Sequence, residues 1–147
     1  MLKNPAAMSR IGVIFLTWER YLQKRLLPHQ ITLKQLFVLR QLANKTSLNP
    51  SQIAEMLYCD RPTATVIINN MERQRWVTKS KDAYNGKLVN IAITNEGRDK
   101  LASLKEALDA VEQFDPMACF TEEESAQLNT LLNKLAGHMN HIKDSVE

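Results

Sequence analysis

Arg61, Thr63, Thr65, Asn69, Asn70 and Arg73 lie close together along the chain. Their guanidinium, hydroxyl and carboxamide groups are those that bond base edges and phosphates. Laid on a helix over 61–75, Ala64, Ile67, Ile68 and Met71 recur at three- and four-residue spacing and form an inward face. Arg61, Thr63, Thr65, Val66, Asn69, Asn70 and Arg73 are then left facing outward. Such a face reads nucleic acid when the helix is set into a groove.

The flanking residues supply that support. Asn49-Pro50 starts a preceding helix, with proline at the first helical position and Ile53, Ala54 and Leu57 inward. Tyr58-Cys59-Asp60 is the turn, and Asp60 is a good cap for the helix that follows. Trp76 to Lys81 and Leu88 to Ile93 alternate as strands, with Asn85-Gly86 as a strong hairpin-turn signal. Helix, tight turn, second helix and hairpin make a winged helix-turn-helix, a DNA-reading module.

Outside this core the chain is helical. A first helix over about 8–27 carries Ile11, Phe15, Trp18, Leu22 and Leu26 on one stripe, widened by Ile14, Tyr21 and Leu27, and Pro28 closes it. A stripe that wide predicts burial on two sides. Thr32 caps a second helix, Leu33–Ala43, whose apolar face is Leu36, Leu39, Leu42 and Ala43, with Phe37 and Val38 adding to it. Asn44 to Leu48 reads as a polar connector. Thr94 caps a long helix striped by Leu101, Leu104, Leu108 and Val111, and Asp115-Pro116 interrupts it. Thr121-Glu122-Glu123-Glu124 is a capping box opening a last helix with Leu128, Leu131, Leu132, Leu135, Met139 and Ile142 on one side. The fold class is mainly α with a small β-wing (α+β). Residues 1–30 form a dimerisation helix, 31–94 the winged helix-turn-helix core, and 95–147 C-terminal dimerisation helices. The outer apolar faces need a partner, and a second copy of the chain is the simplest one.

Charge follows the same division. The net charge is only +3, but residues 1–60 carry eight Lys/Arg against three Asp/Glu, residues 61–90 six against two, and residues 91–147 five against eleven. The middle of the chain therefore suits an anionic partner. Glycines are confined to Gly12, Gly86, Gly97 and Gly137, which disfavours a sandwich or barrel. Cys59 and Cys119 have no zinc-like or C-x-x-C spacing, and no stretch is long enough for a membrane span. These features point to a cytoplasmic protein with reduced thiols. The sequence holds no Gly-rich phosphate loop, nucleophile elbow or metal cluster, so neither an enzyme nor a cofactor is implied.

The segments Ile31–Leu39, Ser51–Leu57, Arg61–Thr65, Asn70–Arg73, Trp76-Val77 and Ile93–Gly97, in this order and spacing, resemble the MarR family of bacterial and archaeal transcriptional regulators. The resemblance implies a winged-helix homodimer that binds a pseudo-palindromic double-stranded DNA operator, usually to repress. It also implies release by a small phenolic or amphipathic effector, by thiol oxidation or, in a few members, by metal. Three positions depart from the family pattern. Val66 stands where an arginine is common and offers a methyl contact to thymine instead. Arg75 replaces the usual glycine before Trp76. Asn85-Gly86-Lys87 replaces an Asp-x-Arg wing motif, and lysine is the poorer planar donor.

On this reading Ser51, Gln52, Arg73, Lys79, Lys81 and Lys87 position phosphates, and Arg61, Pro62, Thr63, Thr65, Val66 and Asn69 read bases. Asn70 and Asn85 complete the interface. Lys87 is either a wing-tip contact or a loop cation, and Lys79 and Lys81 are either phosphate contacts or solvated strand residues. Cys59 is a redox switch or a small packed residue. His138 and His141 are a metal-ligand pair or a solvated helix face. Trp18, Tyr21 and Phe37 line an effector pocket or belong to the core, with Arg20, Lys24 and Arg40 near enough in sequence to meet an anionic effector. The competing function is a winged-helix protein-interaction adaptor that does not bind DNA. That reading predicts an apolar or acidic outward face on 61–75.

Overall fold

The computed structural model describes residues 5–146, apart from the side chains of residues 5, 111 and 112. The chain divides after Val111 into two compact units. The first holds α1 (Pro5–Leu26), a short 3₁₀ turn (Leu27–His29), α2 (Leu33–Asn44), α3 (Pro50–Met56) and α4 (Arg61–Arg73). Then follow β1 (Val77–Lys81), β2 (Val89–Ile93), α5 (Asn95–Ser103) and most of α6 (Lys105–Glu112). The second unit holds α7 (Glu122–Asp144). Among the described residues, no helix is long and apolar enough to cross a membrane.

The core lies between α2, α3, α4 and the wing strands. Val38, Leu39, Leu42, Ile53, Ala64, Met71, Ile91 and Leu104 are fully buried there, with Leu36, Ile68 and Val77 beside them. Helix starts are fixed by side-chain caps. Thr32 with Gln35 and Asn49 with Gln52 form reciprocal capping boxes at α2 and α3. In the second unit Thr121 and Glu124 do the same at α7, as the sequence predicts. Gln23 ties α1 to α2, accepting from Leu33 N at 3.0 Å.

Several elements differ from the sequence expectation, each for a local reason. Helix α4 ends at Arg73, not Arg75. Arg75 N donates to the Glu72 carbonyl at 2.9 Å and Trp76 N to the Met71 carbonyl at 3.0 Å, with Arg75 at φ 64°. This is a Schellman termination whose left-handed position ordinarily takes glycine. Helix α3 ends the same way at Tyr58, φ 51°. The strands each begin one residue later than expected. The connector before α3 is not merely polar: Leu48 is buried and exchanges two backbone hydrogen bonds with Ile91, at 3.0 and 2.7 Å, adding a one-residue bridge beside β2.

The long helix expected after Thr94 is two helices. It breaks at Leu104, which caps α5 and is fully buried in the core; beside the break the Ser103 hydroxyl donates back to the Lys100 carbonyl at 2.7 Å. Val111, expected on this stripe, has a side chain outside the described residues. The wide stripe of α1 is covered only in part. Leu26 is buried and Trp18, Tyr21 and Leu22 are half-buried, but Ile14 and Phe15 are 68% and 59% exposed. Phe37, expected on the apolar face of α2, is 42% exposed because it falls between the buried Leu36 and Val38 on the opposite side of the helix.

Candidate nucleic-acid interface

Asp60 caps α4 by accepting from Thr63 N at 2.7 Å. Hydrogen bonding from Thr63 holds the Asp60 carboxyl below the usual aspartate range. With Ala64, Ile68 and Met71 buried, the helix exposes Arg61, Pro62, Thr63, Thr65, Val66, Asn69 and Arg73 on one continuous face. Asn70 differs from expectation, being half-buried at the edge of that face. The Thr65 hydroxyl donates to the Arg61 carbonyl at 2.9 Å, so its proton is spent within the helix and its lone pairs face out as acceptors. On α3, Ser51 and Gln52 are both exposed, and the Gln52 carbonyl oxygen accepts from Asn49 N at 2.9 Å. That bond leaves the Gln52 amide group as a donor.

The wing is built by Asp82 rather than by the Asn-Gly pair. No glycine among the described residues has positive φ, so Asn85-Gly86 does not make the mirror-image turn its sequence suggests. Asp82 instead accepts from Tyr84 N at 2.8 Å, Asn85 N at 3.0 Å and Asn90 Nδ2 at 3.0 Å, and these bonds, with Asn90 the largest cause, hold its carboxyl below the ordinary range. Asn85 accepts from Leu88 N at 2.9 Å through its carbonyl and from Lys87 N at 3.2 Å through its side chain. The loop brings Lys87 to the reading helix: Ser51, Arg61 and Lys87 line one small cleft with Asn49, Pro50, Leu88 and Val89. The Ser51 hydroxyl and the Lys87 ammonium on this cleft suit a phosphate, with Arg61 beside them. Lys81 is exposed on β1, apart from this cleft.

The base of the wing is locked to α5. Thr94 N donates to the Trp76 carbonyl at 3.0 Å, and the Thr94 hydroxyl donates to the Arg75 carbonyl at 2.5 Å while accepting from Gly97 N at 3.0 Å. Gly97 packs so closely that a Cβ there would stand 2.2 Å from the Trp76 carbonyl oxygen. The Lys100 ammonium lies 5.3 Å from the Trp76 ring centre and donates to the His29 carbonyl at 2.6 Å.

One participant escapes the sequence reading. Lys79 Nζ lies 3.0 Å from Glu72 Oε2 and donates to Asn69 Oδ1. The sequence reads Lys79 as a phosphate contact or a solvated strand residue and Asn69 as a base reader, whereas in the fold they bond each other across the helix–wing junction. Glu72 was unassigned. The signal available was its i,i+3 spacing from Asn69, but only the placement of β1 beside α4 joins it to Lys79.

The other candidates are scattered. Trp18 stacks on Tyr21, with ring centres 5.5 Å apart, and the Arg25 guanidinium sits 5.4 Å over the Tyr21 ring. Phe37 is on the exposed side of α2. An open groove along α1 is lined by Leu16, Glu19, Arg20, Gln23, Lys24 and Leu27, which includes two of the three cations named above. Cys59 is half-buried against the core and Cys119 is exposed. His138 and His141 are exposed on α7, and among the described residues no three His, Cys, Asp or Glu groups gather as metal ligands.

A two-helix reading head with a hairpin beside it defines the winged-helix class. Residues 31–89 match the family model of the MarR family. Over 90% of its length the chain is 25% identical to the HTH-type transcriptional regulator PecS of Dickeya dadantii, covering 79% of that protein. It is 26% identical to the HTH-type transcriptional repressor MdtR of Bacillus subtilis, over 72% of this chain and 68% of that one. Among solved structures, the transcriptional regulator SlyA superposes with a TM-score of 0.81 at 21% identity, covering 97% of this chain and 99% of the other. A cysteine-to-serine variant of MarR from E. coli, complexed with operator DNA, gives 0.79 at 22% identity over 92% and 98%. Residues 31–89 thus carry the MarR-family match, and the chain as a whole shares the fold of the solved winged-helix structures.

Proposed function

We propose that this chain is a homodimeric repressor of the cytoplasm that reads a pseudo-palindromic operator with helix 61–75 and wing 77–93, and that a small phenolic or amphipathic effector releases it. The observation that carries the reading is the outward face of α4. It presents Arg61, Thr63, Asn69 and Arg73 around Val66, with Lys87 of the wing brought to the Arg61 cleft. An adaptor surface would be apolar or acidic there. The operator complex of the MarR variant and the repressor name of MdtR support the same reading. In this reading Arg61, Thr63, Thr65, Val66 and Asn69 meet bases, and Ser51, Gln52, Arg73, Lys81 and Lys87 meet phosphates.

The uncovered apolar surface supports the dimer. Val13, Ile14, Phe15 and Leu16 are all more than half exposed on α1, and Leu131, Leu132, Met139 and Ile142 are exposed on α7. These apolar faces of α1 and α7 are the ones a second copy would cover.

Salt dependence tests the nucleic-acid reading. With Arg73, Lys81 and Lys87 neutralising phosphates in each of two protomers, the log–log slope of affinity for duplex DNA against salt is about −5, at about −0.9 per phosphate. Fluorescence anisotropy on labelled duplex between 50 and 200 mM salt, values of about the range where such slopes are resolved, reads it directly. Absent or salt-insensitive binding would favour the adaptor.

A further inference from the structure

We propose that Tyr84 is the residue with which the wing meets DNA, in the minor groove beside the groove that takes α4, and that it favours A·T over G·C pairs there. The inference rests on the DNA-binding reading above and adds to it a contact outside the reading helix.

Tyr84 is fully exposed, at 101%, although the chain around it is tied down. Its N–H donates to Asp82 Oδ1 at 2.8 Å, and Asn85 N donates to the same oxygen at 3.0 Å. Asp82 is held to β2 by Asn90 Nδ2 at 3.0 Å, and Asp82 N donates to the Leu88 carbonyl at 2.9 Å. An ordered backbone therefore carries a ring that packs on nothing in the fold. Tyr21, by contrast, stacks on Trp18. A tyrosine contributes by covering apolar surface with its ring while its hydroxyl stays bonded. Tyr84 does neither within the chain, so its ring has a use only against a partner.

The loop that carries it faces the reading helix. Lys87 lines the cleft with Ser51 and Arg61 at the start of α4, whereas Tyr84 lies outside that cleft. With α4 in the major groove, the cleft suits a phosphate at the groove's edge. The same phosphate strand is the wall of the adjoining minor groove, so the part of the wing outside the cleft is the part that can reach it. That groove is about 6 Å wide, enough for a flat ring entering by its edge and too narrow for a helix. A·T pairs offer there only the acceptors adenine N3 and thymine O2, to which a phenolic hydroxyl donates. In a G·C pair the guanine N2 amino group stands on the groove floor and keeps the ring from the same depth. The preference comes from depth of entry, since a hydroxyl both donates and accepts.

The test uses the full-length protein and a randomised operator library, comparing wild type, Tyr84→Ala and Arg61→Ala. Because the ring packs on nothing, Tyr84→Ala keeps the wild-type fold, which circular dichroism verifies. Tyr84→Ala is expected to lower operator affinity by about threefold or more, the scale of one neutral hydrogen bond. It also flattens an A·T preference at a position whose preference Arg61→Ala leaves in place. That position is then rebuilt with a hypoxanthine·cytosine pair, which keeps the major-groove face of G·C but lacks the N2 amino group. Wild type binds this operator as tightly as the A·T one and about threefold or more tighter than the G·C one. Tyr84→Ala binds all three alike.

An unchanged affinity and base preference in Tyr84→Ala overturns the inference. So does a hypoxanthine·cytosine operator bound as weakly as G·C, which would put the contact in the major groove. Discrimination that persists in Tyr84→Ala also overturns it, because the DNA's own shape would then be its source. Failure of the wild type to enrich any operator overturns the DNA-binding reading itself, and the Tyr84 assignment with it.

Discussion

Gly97→Ala is the substitution that the structure penalises most directly. Its Cβ would stand 2.2 Å from the Trp76 carbonyl oxygen and 2.8 Å from Ile93 Cγ1. The first of these contacts is backbone, so no flexible side chain can yield. Relief requires α5 to move away from the Arg75-Trp76 segment by about 1 Å, an overpacking response that costs about 1–3 kcal/mol. The movement also stretches the bonds from Thr94 N to the Trp76 carbonyl and from the Thr94 hydroxyl to the Arg75 carbonyl. Each is worth about 0.5–1.5 kcal/mol net. The combined loss is about 2–6 kcal/mol, which for a chain of this size lowers Tm by roughly 4–24 °C. Thermal and urea melts at matched protein concentration measure it, because association also raises Tm. A Tm within about 2 °C of wild type would refute the close-approach argument.

Three further outcomes follow from the same geometry. Arg75→Gly relieves the left-handed residue that ends α4 and raises stability by about 0.5–1 kcal/mol, read as a higher urea midpoint at unchanged m; a lower midpoint contradicts the assignment. Acid loosens the wing. The Asp82 carboxyl is held low by Asn90, Tyr84 and Asn85, so its contribution is complete above the ordinary aspartate range and is lost as pH falls through the lowered value. The Tyr84 and Asn85 amide resonances should titrate below the ordinary range, and titration at or above it would show that the carboxylate does not anchor the loop. Arg61→Ala lowers specific operator affinity by about 1–3 kcal/mol, and unchanged affinity removes Arg61 from the reading set.

Much of the fold can be read from residue pattern because its rules are local. Thr32, Asn49, Asp60, Thr94 and Thr121 all cap helices as their types predict, since a cap needs only its own side chain and an amide two or three residues on. The readings that missed depend on contacts between distant residues. Asn85-Gly86 looks like a mirror-image turn, but Asp82 captures the loop amides and Asn90 first. Leu48 looks like connector until Ile91 is placed beside it. The helix after Thr94 shows one uninterrupted stripe, and the break at Leu104, buried in the core, is visible only in the fold. Within the candidate interface, the outward set on α4 follows from helical spacing alone. The Glu72–Lys79–Asn69 junction does not, because strand register decides which lysine reaches the helix.

The central claim is that two copies of this chain read a two-fold DNA site with α4. Selection of genomic fragments with purified full-length protein tests it most directly. The account predicts enrichment of a pseudo-palindrome whose half-sites lie about one helical turn apart, lost in the Arg61→Ala variant. Enrichment of no sequence, or of a single asymmetric half-site bound by one copy, would contradict it.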